Sequence, residues 1–455
     1  MALVTLDYIV IALYFLALII IGYFASRKQT SESFLISERK LGFLSGIATI
    51  NATKTGAILL VFTALLYLYG FSAMWYFIGV VLGYLVFLPF SALLHKKSGA
   101  QYYTLSDYFY HNYGKTSSYF ASAMVIITMV GFLIINLIAS AKVFEFFTGL
   151  SFSLSTILVS LVVLIYLLMA GFDAVVKTDV LQYIAIVFIL VTFSFLLSNG
   201  TSIPTSEWNL FGAGASNIIG FLLIGVLFPF ASPDLWQRVY AFPNRKLLRK
   251  SLLGSIIVFL VVAFVLAVVG LLIKTQLPNL DPDVALIHGF AQLLPIGLSG
   301  LAIVVFFAAF MSSIDTYVYT ASSSIVQDFF RKYTKSQTVS AIRLAMFGIL
   351  ASATIITIVL ADLIQASFIF AAFVTVLAIP TIATWIKSSI KPITLNTSFL
   401  IGIIVLVLFI ITDFMQNNLT PSIVIKGMGG SILGLIIGSI ISAFKKTNSR
   451  PKSSF

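Results

Sequence analysis

Three ionisable residues, Lys54, Asp179 and Asp315, stand inside long apolar runs. Placing one such group at the centre of a bilayer costs roughly 2.5–3.5 kcal/mol, so each needs a partner or a task. Asp315 lies in Phe307-Ala-Ala309-Phe-Met-Ser312-Ser313-Ile-Asp315-Thr316. On a helix Ser312, Asp315 and Thr316 are three and four residues apart and share one face. Hydroxyls and a carboxylate on one face form the hard oxygen ligands of a cation site. The plainer alternative is an interhelical hydrogen-bond network, or a Lys54–Asp315 ion pair that holds helices together.

The elements that must carry these residues are interrupted. Lys54 belongs to Asn51-Ala-Thr53-Lys54-Thr55-Gly56, near the middle of an apolar segment at 44–70. A second segment, 215–241, contains Phe228-Pro229-Phe-Ala-Ser-Pro233, whose prolines each remove a helical hydrogen bond. Unwound backbone of this kind exposes carbonyls and amides to ions and substrates. A proline kink and a glycine packing contact are the simpler explanation for either break alone.

Composition names the medium. Of 455 residues, 60% are hydrophobic and 9% charged, against roughly 25% charged in an average soluble domain. Thirteen apolar segments of about 20 residues run between positions 5 and 444, which predicts an all-α polytopic membrane protein of about 13 transmembrane helices. A soluble enzyme, a DNA-binding module and a disordered scaffold are excluded. The net charge of +12 is spread over short loops and not gathered on a face, so nucleic acid is not a partner. Cysteine is absent, which removes disulfides, thiol nucleophiles and cysteine metal sites. Asp7 precedes the first run with no basic region, which reads as a retained helix.

Alternate loops hold 23 of the 27 basic residues, from Arg27 and Lys28 through Arg238, Arg245 and Lys246 to Lys445 and Lys446. The positive-inside bias therefore puts the N-terminus outside and the C-terminus in the cytoplasm. Spans two to six and seven to eleven each begin with an interrupted helix. Five is odd, so the second set starts on the opposite side, the arithmetic of an inverted repeat. The expected divisions are an extra N-terminal helix and first cytoplasmic loop at 1–43, and a transport core at 44–392 built from repeats 44–200 and 213–392. Two C-terminal helices and a short tail follow at 393–455. No appended soluble domain is expected.

Other polar residues carry less. His95, His111 and His288 are scattered in loops or at span ends, and no metal or proton-relay role is expected of them. Tyr102, Tyr103, Tyr108, Tyr110 and Tyr113 read as an interfacial aromatic belt. Asp234, near a cytoplasmic helix end, reads as paired with a neighbouring base. No nucleophile–base pair or metal constellation appears, so an enzyme is not expected.

The pattern as a whole resembles the sodium:solute symporter family, over nearly the whole chain. Asp7-Tyr8, Gly22 and Ser33-Phe34-Leu-Ile-Ser-Glu-Arg39 are similar to its opening, and Tyr103-Thr-Leu105-Ser-Asp-Tyr108 with Gly114 to a later loop. Ala170-Gly171-Phe-Asp-Ala174-Val-Val-Lys-Thr178-Asp179-Val-Leu-Gln182 resembles its most recognisable stretch. Gln237-Arg238 and Ala308-Ala309-Phe-Met311-Ser312-Ser313-Ile-Asp315, followed by Ser322-Ser-Ser324 and Asp328, match further signatures. The resemblance implies the leucine-transporter fold and secondary active uptake, in which sodium or a proton drags a small organic solute inward. It implies a sodium site from the carbonyls of Asn51, Lys54 and Ala309 and the hydroxyls of Ser312 and Ser313. A second sodium site matches Asp179, Ser312, Asp315 and Thr316, and substrate matches Thr53, Thr55, Ala57, Ile58 and Pro229. No cofactor is implied beyond the coupling ion, and a bacterial inner membrane is the expected location.

Lys54 departs from the family, where this position is usually apolar. Its ammonium could replace sodium among carbonyls and hydroxyls, giving a proton-coupled or sodium-independent transporter, or it could read a substrate carboxylate. The apolar surroundings favour a small carboxylate-bearing solute such as an amino acid. A solute-sensing module that works with a partner kinase is the alternative from another class.

Overall fold

The structure, a computed structural model, describes residues 4–27, 30–98, 102–167, 172–198, 202–295, 297–330 and 334–448. Ala170-Gly171 of the family-like stretch, the loop bases Lys28, Arg331 and Lys332, and the tail beyond Asn448 lie outside the described residues. Helices carry the first half in the order α1 (Thr5–Arg27), α2 (Ser31–Ile36), α3 (Phe43–Thr55), α4 (Ile58–Tyr69), α5 (Trp75–Ser98), α6 (Leu105–Tyr113), α7 (Lys115–Thr148), α8 (Phe152–Leu167) and α9 (Phe172–Ser198). The second half holds α10 (Ala215–Leu227), α11 (Pro233–Ala241), α12 (Arg245–Gln276), α13 (Ala285–Leu293), α14 (Ser299–Phe329), α15 (Lys335–Leu360), α16 (Leu363–Ile386), α17 (Pro392–Met415) and α18 (Ile423–Asn448).

Within the described residues, helix makes up most of each of the thirteen apolar segments. Among the described residues, nine helical stretches are long and apolar enough to cross a membrane, ten when the bent pair α10/α11 counts as one span. Thr5–Leu18 and Phe152–Leu164 are shorter apolar helices. Large apolar side chains stay exposed on the outer faces, with Phe195 at 75%, Val359 at 77% and Met415 at 80%. Water would make that surface costly and lipid does not, so this is an all-α polytopic membrane protein.

The helices stop where their residues demand it. The side chain of Thr104 accepts the Asp107 N–H, capping α6, and Thr334 does the same for α15 through Gln337. The chain bends by 44° between α10 and α11 at Ser232, because Pro229 and Pro233 cannot donate to the helical ladder. The first break falls at Gly56-Ala57, between α3 and α4. Backbones approach closely where α5 meets α10: a Cβ on Gly79 would lie 2.3 Å from the Leu222 carbonyl oxygen, and one on Gly225 2.3 Å from that of Tyr76. Small residues of this kind let membrane helices pack without a hydrophobic driving force.

α14 is the most deeply buried of the spanning helices and packs against α1, α3, α7, α9 and α15. Its polar contacts pin it along its length. Asp7 accepts the Gly300 N–H at 2.6 Å, Tyr319 Oη donates to the Phe34 and Leu35 carbonyls, and Asp328 accepts from Thr104 and Ser122. The tyrosines expected in an interfacial belt are partly internal. Tyr102, Tyr108 and Tyr113 are buried, and Tyr108 Oη donates to Thr384 Oγ1 at 3.0 Å. Their aromatic edges pack on Phe90, Trp236 and Tyr240, so they join α6 to the bundle instead of facing lipid.

Candidate functional site

The break at Gly56 frees backbone groups that α3 and α4 cannot satisfy by themselves. Asn136 of α7 supplies one partner: its Oδ1 accepts the Ala57 N–H at 2.8 Å, while its Nδ2 donates to the Phe132 carbonyl. α14 supplies others. Ser312 Oγ donates to the carbonyls of Ala52 (3.1 Å) and Ala309 (2.8 Å). Ser313 Oγ donates to those of Thr53 (3.0 Å) and Ala309 (3.3 Å), and Tyr317 Oη to that of Thr53 (3.0 Å). Three carbonyls and two serine hydroxyls thus converge where the broken helix meets α14. Hydroxyls that donate here can turn their lone pairs inward, so the set has the chemistry of a monovalent cation site.

The structure brings Ala309, Ser312 and Ser313 together as expected, but the carbonyls facing the serines are those of Ala52 and Thr53. The Asn51 carbonyl is taken by Thr55 Oγ1 at 2.8 Å, and Asn51 Oδ1 is buried without a hydrogen-bond partner.

Lys54 does not pair with Asp315. Its ammonium lies 2.8 Å from Asp234 Oδ2, 3.1 Å from Ser232 Oγ and 4.3 Å from the Phe228 ring centroid. Ser232 and Asp234 flank Pro233 at the second break, so this pair joins the two interrupted helices. The neighbouring base expected for Asp234 therefore comes from 180 positions away in the chain. Arg238, one turn further along α11, also lies 3.9 Å from Asp234.

Arg238 was counted with the cytoplasmic loop charges, yet it is fully buried. Every residue of α11 is buried, so this short helix enters the bundle. The guanidinium donates to Thr49 Oγ1 (2.9 Å), Thr53 Oγ1 (2.7 Å), Thr316 Oγ1 (3.2 Å) and Asp179 Oδ2 (3.3 Å). Thr49 Oγ1 donates to the same Asp179 oxygen at 2.5 Å. Five donors in a fixed fork allow one arginine to tie α3, α9 and α14 together. Asp315 Oδ1 accepts the Thr316 N–H at 2.6 Å. Asp179 Oδ1 and Asp315 Oδ2 are buried without hydrogen-bond partners. Three carboxylates, Asp179, Asp234 and Asp315, stand against two bases, Lys54 and Arg238. Ionised together, they leave one negative charge in excess.

Beside this cluster lies a cavity of about 100 Å³, between the two breaks. Lys54, Thr53, Asn136, Tyr317 and Ser367 supply its polar wall, and side chains such as Phe132, Phe228 and Phe368 supply the rest. Of the expected substrate residues, Thr53, Ala57 and Ile58 line it. Thr55 and Pro229 do not: Thr55 bonds back to α3, and the Pro229 carbonyl accepts Trp236 Nε1. The reading of the sequence passed over Asn136 and gave Arg238 no place in the site. A lone amide in Gly131-Phe-Leu-Ile-Ile-Asn136-Leu-Ile was the available signal for the first, and the four-residue spacing of Asp234 and Arg238 for the second.

Known proteins share this architecture. A sodium/proline symporter of Staphylococcus aureus (strain Newman) is 27% identical over 357 residues, covering 71% of this chain and 68% of that protein. A Na+-coupled sialic acid symporter, solved substrate-bound and outward-open, superposes with a TM-score of 0.77 at 17% identity, over 96% of this chain and 98% of that one. A nucleobase-cation-symport-1 family transporter, closed on bromovinylhydantoin, gives 0.54 at 12% identity, over 90% and 95% of the two chains. These two likenesses speak for the fold. The profile of the Sodium:solute symporter family matches residues 34–203 and 205–397, most of the chain. With its two helix breaks joined through buried charge beside a cavity, the chain belongs to the sodium:solute symporter family, whose members move a small solute by cation-coupled alternating access.

Proposed function

We propose that the chain is a sodium-coupled symporter of a compact, largely apolar monocarboxylate, with a small amino acid as the first candidate. The observation that carries this reading is the buried cluster of three carboxylates and two bases that reaches the cavity through Lys54, with one oxygen each of Asp179 and Asp315 left unpartnered; with all five groups ionised it carries one negative charge in excess. One monovalent cation neutralises it. Hard oxygens of Ala52, Thr53, Ala309, Ser312 and Ser313 support a first sodium position. Asp179, Asp315 and Thr316 support a second. In this reading the solute body rests against the aromatic wall, and its carboxylate meets Lys54, whose counter-ion before the solute arrives is Asp234.

The sodium/proline symporter of S. aureus makes L-proline the first solute to try. A proton in place of the second sodium is the other reading, favoured by the same pair of carboxylates, which one shared proton would satisfy. The position of the Lys54 ammonium, on Asp234 and not among the oxygens near Ser312 and Ser313, weighs against its acting as a built-in sodium substitute. The proposed frame is an inverted repeat of five spans, with the N-terminus outside and the C-terminus in the cytoplasm of a bacterial cell.

Uptake into proteoliposomes tests the proposal. Radiolabelled L-proline and other amino acids are offered under an inward sodium gradient, an inward proton gradient, or choline alone. Accumulation with sodium and not with choline supports it. Accumulation driven equally by a proton gradient in choline assigns the coupling to protons.

A further inference from the structure

Four buried charges stand in a row from the cavity to the cation cluster, alternating in sign. Lys54 lines the cavity, and its ammonium is 2.8 Å from Asp234. Asp234 is 3.9 Å from Nη1 of Arg238, whose Nη2 is 3.3 Å from Asp179. The same Nη2 donates to Thr316, the neighbour of Asp315, and Asp179 and Asp315 each keep one buried oxygen without a partner. The side chains of Lys54 and Asp234 are 6% and 1% exposed, those of Arg238 and Asp179 fully buried. Buried ion pairs are seldom net stabilisers compared with apolar side chains of equal size, so stability alone does not account for the row.

Arg238 divides itself between two carboxylates, one on either side. Whatever draws Asp234 toward Lys54 leaves the guanidinium to Asp179; whatever releases Asp234 draws the guanidinium back and uncovers Asp179. We propose that Lys54, Asp234, Arg238 and Asp179 form a charge relay that couples the solute cavity to the cation site, with Asp234 as its positioning residue. A carboxylate that arrives at Lys54 competes with Asp234 for the ammonium. Asp234 then turns to Arg238, Arg238 loosens from Asp179, and Asp179 with Asp315 holds a cation more tightly. Linkage makes the effect reciprocal, so the bound cation tightens the grip on the carboxylate by the same factor. The inference rests on the sodium-coupled reading above and gives it a physical route.

The relay makes a sign prediction that needs no solute. Sodium affinity is read from thermal unfolding of the detergent-purified full chain, titrating sodium chloride against choline chloride at constant ionic strength. Lys54→Gln removes the ammonium, hands Asp234 to Arg238, and raises sodium affinity by about fivefold or more, the lower end of measured couplings. Asp234→Asn leaves Arg238 to Asp179 and lowers it by a similar factor. The double variant matches Asp234→Asn alone, because the ammonium reaches Arg238 only through the Asp234 carboxylate. A pair that merely braces the two helices would weaken sodium binding in both single variants, and that result overturns the relay. Should Asp234→Asn not fold, Lys54→Gln decides, because lost folding cannot mimic tighter binding. Lys54→Gln at or below wild-type affinity also overturns it. Wild type without any sodium response fails the sodium reading itself, and the relay with it; a wild-type response with the wrong signs in the variants fails the relay alone.

Discussion

Gly56→Ala is the substitution on which helix propensity and packing disagree most. In an ordinary position, replacing glycine by alanine stabilises a protein by about 0.4–1 kcal/mol through the entropy of the unfolded chain. Here a Cβ would lie 2.0 Å from Ser313 Oγ, 2.7 Å from Ser313 Cβ and 2.5 Å from Asn136 Oδ1. Overpacking of that kind costs about 1–3 kcal/mol. Turning Ser313 away also gives up the bond its one hydroxyl proton shares between the Thr53 and Ala309 carbonyls, at about 0.5–1.5 kcal/mol. Packing wins, and the expected net is a loss of about 2 kcal/mol. The variant also displaces a proposed sodium ligand, so its sodium affinity falls roughly tenfold, which is about 1.4 kcal/mol. At a sodium concentration a hundred times the wild-type Kd, sodium stabilises wild type by about 2.7 kcal/mol and the variant by about 1.4 kcal/mol. Thermal unfolding in sodium and in choline measures both losses. In Gly56→Ala/Ser313→Gly the serine side chain is gone, so stability recovers in part while the sodium response stays weak. A Gly56→Ala protein as stable as wild type with an undiminished sodium response would refute the reasoning.

Asn136→Ala leaves the Ala57 N–H buried without its acceptor and is expected to cost about 1–3 kcal/mol, read as a lowered Tm and as faster hydrogen exchange at the start of α4. Asp179→Asn removes the carboxylate shared by Thr49 and Arg238, and sodium-dependent stabilisation and uptake are expected to be lost together; an unchanged sodium response removes Asp179 from the site. On the loop that follows α12, burial raises the Asp283 pKa above the usual carboxylate value, although Lys142 and the Leu363 N–H pull it down. A raised pKa in the folded state means that the contribution of Asp283 is fully present below its unfolded value and falls away as pH rises through the raised one. The Tm difference between wild type and Asp283→Asn should therefore move against wild type over that window, and a difference that does not change with pH would contradict it.

Much of the site was legible because the membrane makes polarity expensive. Lys54, Asp179 and Asp315 stood out as charges in apolar runs; both aspartates are buried, and the Lys54 side chain is 6% exposed. Ser312, Asp315 and Thr316 followed from helical spacing, which the long, regular α14 keeps, and Ser313 from the resemblance to the family. Pro229, Pro233 and Gly56 marked the breaks, since proline has no N–H to donate and glycine admits backbone where a Cβ would collide. The pairing was not legible. Lys54 could equally have met Asp315, and only the approach of α11 to α3 gives it Asp234. Arg238 misled because a base near the end of a span follows the same loop statistics whether it ends in water or turns inward.

By itself, then, the sequence determined the medium, the helices and the positions where they break, because these depend on local composition and on the covalent chemistry of proline and glycine. Tertiary structure decided which charge neutralises which, which carbonyls face the serines of α14, and where the cavity opens. Those outcomes depend on angles between helices far apart in the chain. A bend of 44° at Ser232 carries Asp234 and Arg238 into the bundle. Electrostatic partners over 3–4 Å are chosen by that bend, and no periodicity along the chain encodes it.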